Sequence, residues 1–155
     1  MNAAKRLLPP LAALGLALGV ALTGPPAHAA APLLKSKLDG RCADIFMFHQ
    51  ENGSSVVTWD CTGNVNQQWR WDGEQIRSGQ NNKCLEIYGS FQGDQGSVST
   101  WDCTGGANQK WYRNGDEIRS RMNGRCLDIL AGRSANGQLL VSWGCNGAAS
   151  QRWDF

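Results

Sequence analysis

One sequence unit occurs three times in this chain at intervals of 42 residues, and this repeat limits the possible folds more than any other feature. Each unit has a Cys followed two residues later by an acid, then Trp-x-Cys, then Gln-x-Trp. All six cysteines and six of the seven tryptophans obey the interval. We assign the repeats to about 32–73, 74–115 and 116–155, and we expect three equivalent units that share one core.

The first 29 residues have the pattern of a secretory signal peptide. Lys5 and Arg6 precede an apolar run over 11–22, and small residues end the segment at Ala29. The run is too short to cross a bilayer, which takes about 20 apolar residues. We therefore predict cleavage after Ala29 and a secreted, extracellular domain of residues 30–155, without membrane insertion. That domain has the length of three repeats.

The charge of the predicted mature chain argues against nucleic acid as a partner. Removal of Lys5 and Arg6 from the 15 basic residues leaves 13, which equals the number of acidic residues. No general attraction to polyanions remains. We also expect no cofactor and a monomer.

The six cysteines indicate disulfides, because the chain is predicted to enter an oxidising compartment and contains no C-x-x-C pair typical of a metal site. Six cysteines allow fifteen pairings. The repeat favours one disulfide in each unit: Cys42–Cys61, Cys84–Cys103 and Cys126–Cys145.

Short β-branched and aromatic runs between Gly, Asn, Asp and Ser clusters predict an all-β domain. In the second repeat the strand candidates are 76–78, 84–88, 98–103 and 109–113, and the other repeats offer counterparts at 42-residue offsets. Turn signals such as Asp72-Gly73 and Asn114-Gly115 separate them. We therefore expect twelve strands around a common core.

If Cys42 and Cys61 face each other on antiparallel strands, Asp44 faces Trp59, and the carboxylate and the indole share one side of the sheet. The same register places Glu86 opposite Trp101, Asp128 opposite Trp143, Phe46 opposite Val57, and Tyr88 opposite Ser99. It also sends Asp60 and Asp102 to the core side, so we expect the strands to part or bulge there.

A carboxylate beside an exposed aromatic ring suits a sugar, whose hydroxyl groups need acceptors and whose C–H face packs on a flat apolar surface. The alternative is that these three tryptophans only cover the disulfides. The Gln-x-Trp tryptophans have a different expected role: Trp69, Trp111 and Trp153 should lie in the core, with Gln67, Gln109 and Gln151 tying turns to the backbone.

Cys-Leu-Asp, Trp-Asp-Cys and Asn-Gln-x-Trp, in three similar copies, resemble the ricin B-chain-type β-trefoil lectins and the related family 13 carbohydrate-binding modules. The resemblance covers residues 30–155 and implies a β-trefoil with pseudo-threefold symmetry and one shallow sugar site per repeat. The implied sugar-binding residues are Asp44, Trp59, Asn66 and Gln67 in the first repeat, Glu86, Trp101, Asn108 and Gln109 in the second, and Asp128, Trp143, Ser150 and Gln151 in the third.

Departures from the family pattern predict unequal sites. Glu86 is one methylene longer than Asp, and Ser150 reaches less far than Asn. We rank the first site best, the second next and the third last, and Tyr88 is a candidate for a second aromatic surface in the second site.

Two other functional classes remain open at this point. One is a protein-binding or inhibitory trefoil, since a fold alone does not determine function. The other is a glycoside hydrolase, but the prominent carboxylates occupy separated equivalent positions. His49 is the only His of the predicted mature chain, so a Ser-His-Asp arrangement has one possible location. We expect no enzymatic activity.

Overall fold

The computed structural model describes residues 32–155, so the predicted signal peptide lies outside the described residues. The β-branched and aromatic runs form twelve short strands, as the repeat predicts. These are β1 (Lys35–Ser36), β2 (Cys42–Ile45), β3 (Ser54–Trp59), β4 (Trp69–Asp72), β5 (Gln75–Ser78), β6 (Cys84–Ile87), β7 (Gly96–Trp101), β8 (Trp111–Asn114), β9 (Glu117–Ser120), β10 (Cys126–Ile129), β11 (Gln138–Trp143) and β12 (Trp153–Asp154). Within residues 32–155, no helix is long and apolar enough to span a membrane.

Six 3-10 turns, two per repeat, connect the strands. The first turn of each repeat directly follows β2, β6 or β10 and comprises Phe46–Phe48, Tyr88–Ser90 or Leu130–Gly132. The second precedes β4, β8 or β12 and comprises Val65–Gln67, Ala107–Gln109 or Ala149–Gln151. The first turn therefore follows the strand that carries the predicted acid, and the second turn itself carries the last two predicted site residues of its repeat.

Three hairpins, one per repeat, assemble around the pseudo-threefold axis. They are β2–β3, β6–β7 and β10–β11. Their second strands also pair with one another, β3 with β7, β7 with β11 and β11 with β3. Each repeat thus contacts both of the others, and the ring of strands is closed.

The other six strands form three further antiparallel pairs. Two are local hairpins, β4–β5 and β8–β9. The third joins the two ends of the described chain, because β1 pairs with β12 through Lys35 opposite Asp154 and Ser36 opposite Trp153. Six antiparallel pairs with threefold equivalence are a β-trefoil, which confirms the predicted fold class.

The core contains the three Gln-x-Trp tryptophans, as predicted. The indole N–H groups of Trp69, Trp111 and Trp153 donate to backbone carbonyls at 2.9–3.0 Å in equivalent positions. A buried indole that keeps a hydrogen bond contributes its full apolar area without leaving a polar group unpaired. Around these rings lie the buried aliphatic residues Leu34, Ile45, Val56, Ile76, Leu85, Ile87, Val98, Ile118, Leu127, Ile129 and Leu140.

All three predicted disulfides are present, each within one repeat. The strand register predicted from them is wrong by two residues. Cys42 lies opposite Trp59, whereas Asp44 lies opposite Val57. The reason is that β3 ends at Trp59, so Cys61 approaches Cys42 from beyond the last paired residue. Because the error is an even number, the carboxylate and the indole remain on the same side of the sheet.

The same correction applies to the other predicted pairs. Glu86 lies opposite Ser99, and Asp128 opposite Val141. Phe46 and Tyr88 have no strand partner, because both belong to the 3-10 turns that follow β2 and β6. Asp60 and Asp102 lie just after the ends of β3 and β7 and are exposed, so the strands end where parting or a bulge was expected.

Side chains also connect neighbouring repeats at three equivalent points. The amide of Asn136 donates to Asp60 at 2.9 Å, and the amide of Asn52 donates to Asp102 at 2.9 Å. At the third point, the acid comes from the other of the two neighbouring repeats. Asp94 accepts the backbone N–H of Gly144 at 2.8 Å and the Arg125 side chain at 2.9 Å. The junction therefore keeps one carboxylate although residue 144 has no side chain.

Candidate functional site

The predicted acid and tryptophan of the first repeat line a common pocket of about 320 Å³. Asp44 comes from β2, Trp59 is the last residue of β3, and Asn66 lies in the 3-10 turn before β4. The other lining residues are Phe46, Met47, Phe48, Thr62 and Asn64. A pocket bounded by one carboxylate, two amides, one hydroxyl and several apolar groups has the composition expected for a small polar ligand with an apolar face.

A buried glutamine holds the carboxylate in place. The Gln67 side chain donates to Asp44 Oδ2 at 2.9 Å and to the Asp60 carbonyl at 3.0 Å, and its own oxygen accepts the N–H groups of Thr62 and Gly63 at 2.7 and 3.2 Å. The side chain is fully buried and does not line the pocket.

This arrangement recurs with Gln109 and Gln151, which donate to Glu86 at 3.0 Å and to Asp128 at 2.8 Å. The family resemblance implied that these glutamines contact the sugar. In the structure all three lie beneath the acids, where every side-chain amide is buried and hydrogen-bonded to protein groups, and their contact with a sugar stays a prediction. Their predicted role of tying turns to the backbone is confirmed.

Burial changes the protonation of the first two acids. It raises the pKa of the Asp44 carboxyl, and hydrogen bonds from Gln67 and Asn66 oppose the rise without cancelling it. Burial likewise raises the pKa of the Glu86 carboxyl, against opposing hydrogen bonds from Gln109 and Asn108. Both acids therefore take up a proton more readily than an exposed carboxylate does.

The second pocket also has a volume of about 320 Å³ and is lined by Glu86, Tyr88, Trp101 and Asn108, with Gly89 and Thr104. The additional methylene of Glu86 brings one carboxylate oxygen within reach of two amides, Asn108 at 3.1 Å and Gln109 at 3.0 Å. The predicted residues of this repeat, apart from Gln109, thus meet at one pocket.

The predicted residues of the third repeat do not form a comparable set. Its pocket, of about 310 Å³, contains Trp143 but is otherwise lined by Gln95, Leu130, Ala131, Arg133 and Gln138. Neither Asp128 nor Ser150 is among the lining residues. The Ser150 side chain does not bind Asp128, whose Oδ1 atom is buried without a hydrogen-bond partner in the described part of the chain.

A second aromatic ring accompanies the tryptophan in two of the three pockets. The rings of Phe46 and Trp59 lie 6.4 Å apart, and those of Tyr88 and Trp101 lie 6.0 Å apart. Tyr88 is thus placed as a second aromatic surface, as suggested from the sequence. The equivalent residue of the third repeat is Leu130. Phe46, Tyr88 and Leu130 follow the Cys-x-acid-Ile motif directly, so the repeat itself contained this signal.

Exposed apolar residues that sequence reasoning missed extend the first pocket. Met47 is 70% exposed and Phe48 47% exposed, and both have positive φ angles, 52° and 58°. The Gln80 side chain from the second repeat donates to the carbonyls of Phe48 and His49 and so fixes this turn. The His49 ring meets Phe46 edge-on at 6.1 Å.

Comparisons with known proteins support the same fold. The model of the ricin-type β-trefoil lectin domain family matches residues 30–111, more than half of the chain. No curated protein sequence matches.

Several solved structures are similar to the chain. A designed threefold-symmetric protein, ThreeFoil, shares 23% identity over 78% of this chain and 94% of its own, with a TM-score of 0.74. The C-half of an earthworm R-type lectin, in complex with GalNAc, shares 25% identity over 79% of this chain and 94% of its own, with a TM-score of 0.69. An exo-β-1,3-galactanase from Clostridium thermocellum shares 25% identity over 78% of this chain but only 28% of its own, with a TM-score of 0.71.

The family match covers the first two repeats almost entirely, which are the repeats whose acid, indole and amide meet at a pocket. The chain belongs to the ricin-type β-trefoil lectin domain family.

Proposed function

We propose that this protein is a secreted lectin that binds glycans through up to three shallow, unequal sites and performs no chemistry on them. The observation that carries the proposal is the meeting of Asp44, Asn66 and Trp59 around one pocket. A fixed acceptor and donor beside a half-exposed indole match the hydroxyl pattern and the apolar face of a pyranose ring.

The pockets differ in ways that support the predicted ranking. The first keeps the acid, the asparagine of the repeat and a tryptophan with a second aromatic ring beside it, and the second keeps the same set with Glu in place of Asp. The third has Ser150 in place of the asparagine and lacks the second ring, and its acid does not line the pocket. We therefore assign the greatest affinity to the first site and the least to the third.

Avidity compensates for the weak affinity of each shallow site. A single site of this kind has a dissociation constant of about 1 mM, or about −4 kcal/mol. Engagement of two or three sites on a repeating polysaccharide or a clustered glycan multiplies the affinity without any new contact. The sites are on different repeats, so one monomer can present all of them.

Two parts of this proposal, that the sites perform no catalysis and that the protein is exported, are supported by separate observations. Each of the first two pockets contains one carboxylate, whereas two-carboxylate glycoside hydrolysis needs a pair flanking one bond. Three disulfides are typical of an exported protein and agree with the signal sequence.

The test is retention of the mature protein on a glycan array that includes GalNAc and galactose-containing glycans, because the similar earthworm lectin is in complex with GalNAc. Trp59→Ala should reduce retention several-fold, since the indole supplies the flat apolar surface, and Trp143→Ala should have a smaller effect. The far-UV circular dichroism of both variants should match that of the wild type.

Undiminished retention of Trp59→Ala would remove the assignment of the first site. Retention of neither the wild type nor the variants on any glycan would contradict the proposal as a whole. Release of reducing sugar from a retained polysaccharide would contradict the statement that no chemistry occurs.

A further inference from the structure

We propose that the second and third pockets belong to one continuous groove, which binds a single linear glycan chain of several residues. This inference rests on the proposed glycan binding and adds the class of ligand: an internal segment of a linear polysaccharide. The groove consists of the second pocket, the third pocket and a hollow between them.

The three cavities share lining residues. The hollow has a volume of about 240 Å³ and is lined by Tyr88, Phe91, Gln95, Gly96 and Ser97. Tyr88 also lines the second pocket, and Gln95 also lines the third. Sheet pairing explains this continuity.

The start of β7, from the second repeat, pairs with β11 of the third repeat, with Gly96 opposite Ser142. The Gln95 N–H also donates to the Ser142 carbonyl at 3.0 Å. The segment that leads out of the second pocket therefore runs directly past Trp143, the aromatic residue of the third pocket.

Phe91 presents an exposed but fixed ring in the middle of the groove. It is 52% exposed, yet a Cβ atom added to Gly93 would lie 2.9 Å from its Cε1, and one added to Gly96 would lie 3.3 Å from its Cδ1. The Phe91 ring therefore packs against Gly93 and Gly96. A sugar residue that crosses from one pocket to the other would find an apolar surface there.

Gln95 has a strained backbone at the junction with the third pocket. Its φ angle is +67°, whereas the equivalent residues of the other repeats are Gly53 and Gly137, with φ angles of +84° and +79°. A non-glycine residue in this conformation destabilises the fold. What the protein gains is a side-chain amide, a donor and an acceptor for hydroxyl groups, on the wall of both cavities.

The other two junctions lack such a side chain. An added Cβ atom at Gly137 would lie 3.7 Å from the Trp59 ring, and one at Gly53 would lie 3.7 Å from the Trp101 ring. These glycines thus occupy the same place beside their tryptophans but offer a ligand no polar group. Among the three residues at this position in residues 32–155, only Gln95 has a side chain that can contact a glycan.

The test measures affinity against chain length with β-1,3-linked galacto-oligosaccharides, from galactose to the hexasaccharide, by isothermal titration calorimetry. The wild-type affinity should increase about tenfold from the disaccharide to the hexasaccharide, because further residues contact the hollow and the third pocket. Gln95→Gly and Phe91→His introduce the residues of the first repeat, and each should remove several-fold of this increase while leaving the binding of galactose at the first site, which neither residue lines, unchanged.

Gln95→Gly should also change thermal stability, in the direction opposite to its effect on affinity. Because glycine relieves the backbone strain, its midpoint of thermal unfolding should rise by about 3 °C while its affinity for the hexasaccharide falls. Gln92→Ala alters an exposed side chain of the same loop that lines none of the three cavities, so both readouts should match the wild type.

A wild-type affinity that does not depend on chain length would overturn the continuous groove, as would an increase that persists in both Gln95→Gly and Phe91→His. These outcomes leave the proposed function intact. Failure of the wild type to be retained by any glycan would overturn the proposed function instead, so the two failures are distinguishable.

Discussion

An unpaired carboxylate oxygen distinguishes the third repeat from the second. Asn108 donates its amide to Glu86 at 3.1 Å, whereas Ser150, at the equivalent position, leaves Asp128 Oδ1 buried without a partner in the described chain. A buried acceptor that lacks a donor lowers stability. The two repeats thus differ here in the acid itself, Glu86 against Asp128, and in the amide of Asn108, which Ser150 does not supply.

Ser150→Asn should supply the missing donor and raise the free energy of unfolding by about 1 kcal/mol. The neighbouring residue Gly132 has no side chain of its own, and a Cβ atom added to it would lie 3.8 Å from Ser150 Oγ. Urea unfolding of the wild type and the variant measures the effect. The reverse change, Asn108→Ser, should lower stability by a similar amount; an unchanged stability in both variants would contradict the assigned role of the amide.

The raised pKa of Asp44 predicts a pH dependence of binding at the first site. A protonated Asp44 is a poorer acceptor for sugar hydroxyl groups, so affinity should fall as the pH approaches its pKa from above, beginning at a higher pH than for an ordinary aspartate. GalNAc titrations followed through the NMR signal of the Trp59 indole report on this site alone. Asp44→Asn should bind more weakly and show a flat profile over the same pH range.

A fall in pH should change the contribution of Asp44 to stability in the direction opposite to its effect on binding. Because its pKa is higher in the folded than in the unfolded state, the folded protein takes up this proton first as the pH falls. The contribution of Asp44 to stability therefore increases through that pH window, while binding at the site declines. The difference in unfolding free energy between wild type and Asp44→Asn over this pH window measures the contribution of Asp44. Other acids, such as Glu117, titrate in both proteins and so do not affect the difference.

At the scale of elements, the turn after β2 holds two non-glycine residues in the left-handed region. Met47→Gly should raise the free energy of unfolding by about 1 kcal/mol, because the Met47 side chain is largely exposed and loses few contacts. The second repeat already has Gly89 at this position, with φ of 61°. Gly89→Met should destabilise by a similar amount, and guanidinium unfolding compares the pair. Equal stability of Met47→Gly and wild type would show that the turn is not strained.

Strands and sites differ in how far they follow from the sequence. The strands were predictable because all three repeats place alternating apolar residues at the same offsets, and every copy confirms the others. The register was not, because it assumed that Cys61 lies on the strand, whereas β3 ends two residues earlier. Strand ends depend on backbone hydrogen bonds that composition specifies only to within a few residues.

The remaining site features depend on conformations that side-chain type does not reveal. Nothing in Met47 or Phe48 indicates a left-handed backbone, and the hints were glycines at the equivalent positions of the other repeats, Gly89 and Gly132. The burial of Gln67 follows from the 3-10 turn that directs its side chain inward, beneath Asp44. The strand register predicted that acid and indole share one side of the sheet, and the family resemblance added the amide; the three line one pocket in the first two repeats.

At the scale of the molecule, three disulfides of equal sequence separation staple the three repeats. Replacement of one pair, for example Cys84→Ala with Cys103→Ala, should lower the free energy of unfolding by about 3 kcal/mol, because the unfolded chain regains the freedom of the closed loop. Guanidinium unfolding measures this loss, and the corresponding double variant in the first repeat is the matched comparison. A loss well below 1 kcal/mol in both would indicate that the repeats are held by packing alone.

The pairing of β1 with β12 brings residues 35 and 154 side by side. A short peptide could therefore join the two ends, and the ring could be opened at the β4–β5 turn or the β8–β9 turn instead. In each such circular permutant, the two strands of the opened hairpin would lie at the new N- and C-termini. Every contact of the trefoil would be kept. Comparing their refolding would reveal whether the three lobes, so alike in backbone, are interchangeable as starting points for assembly.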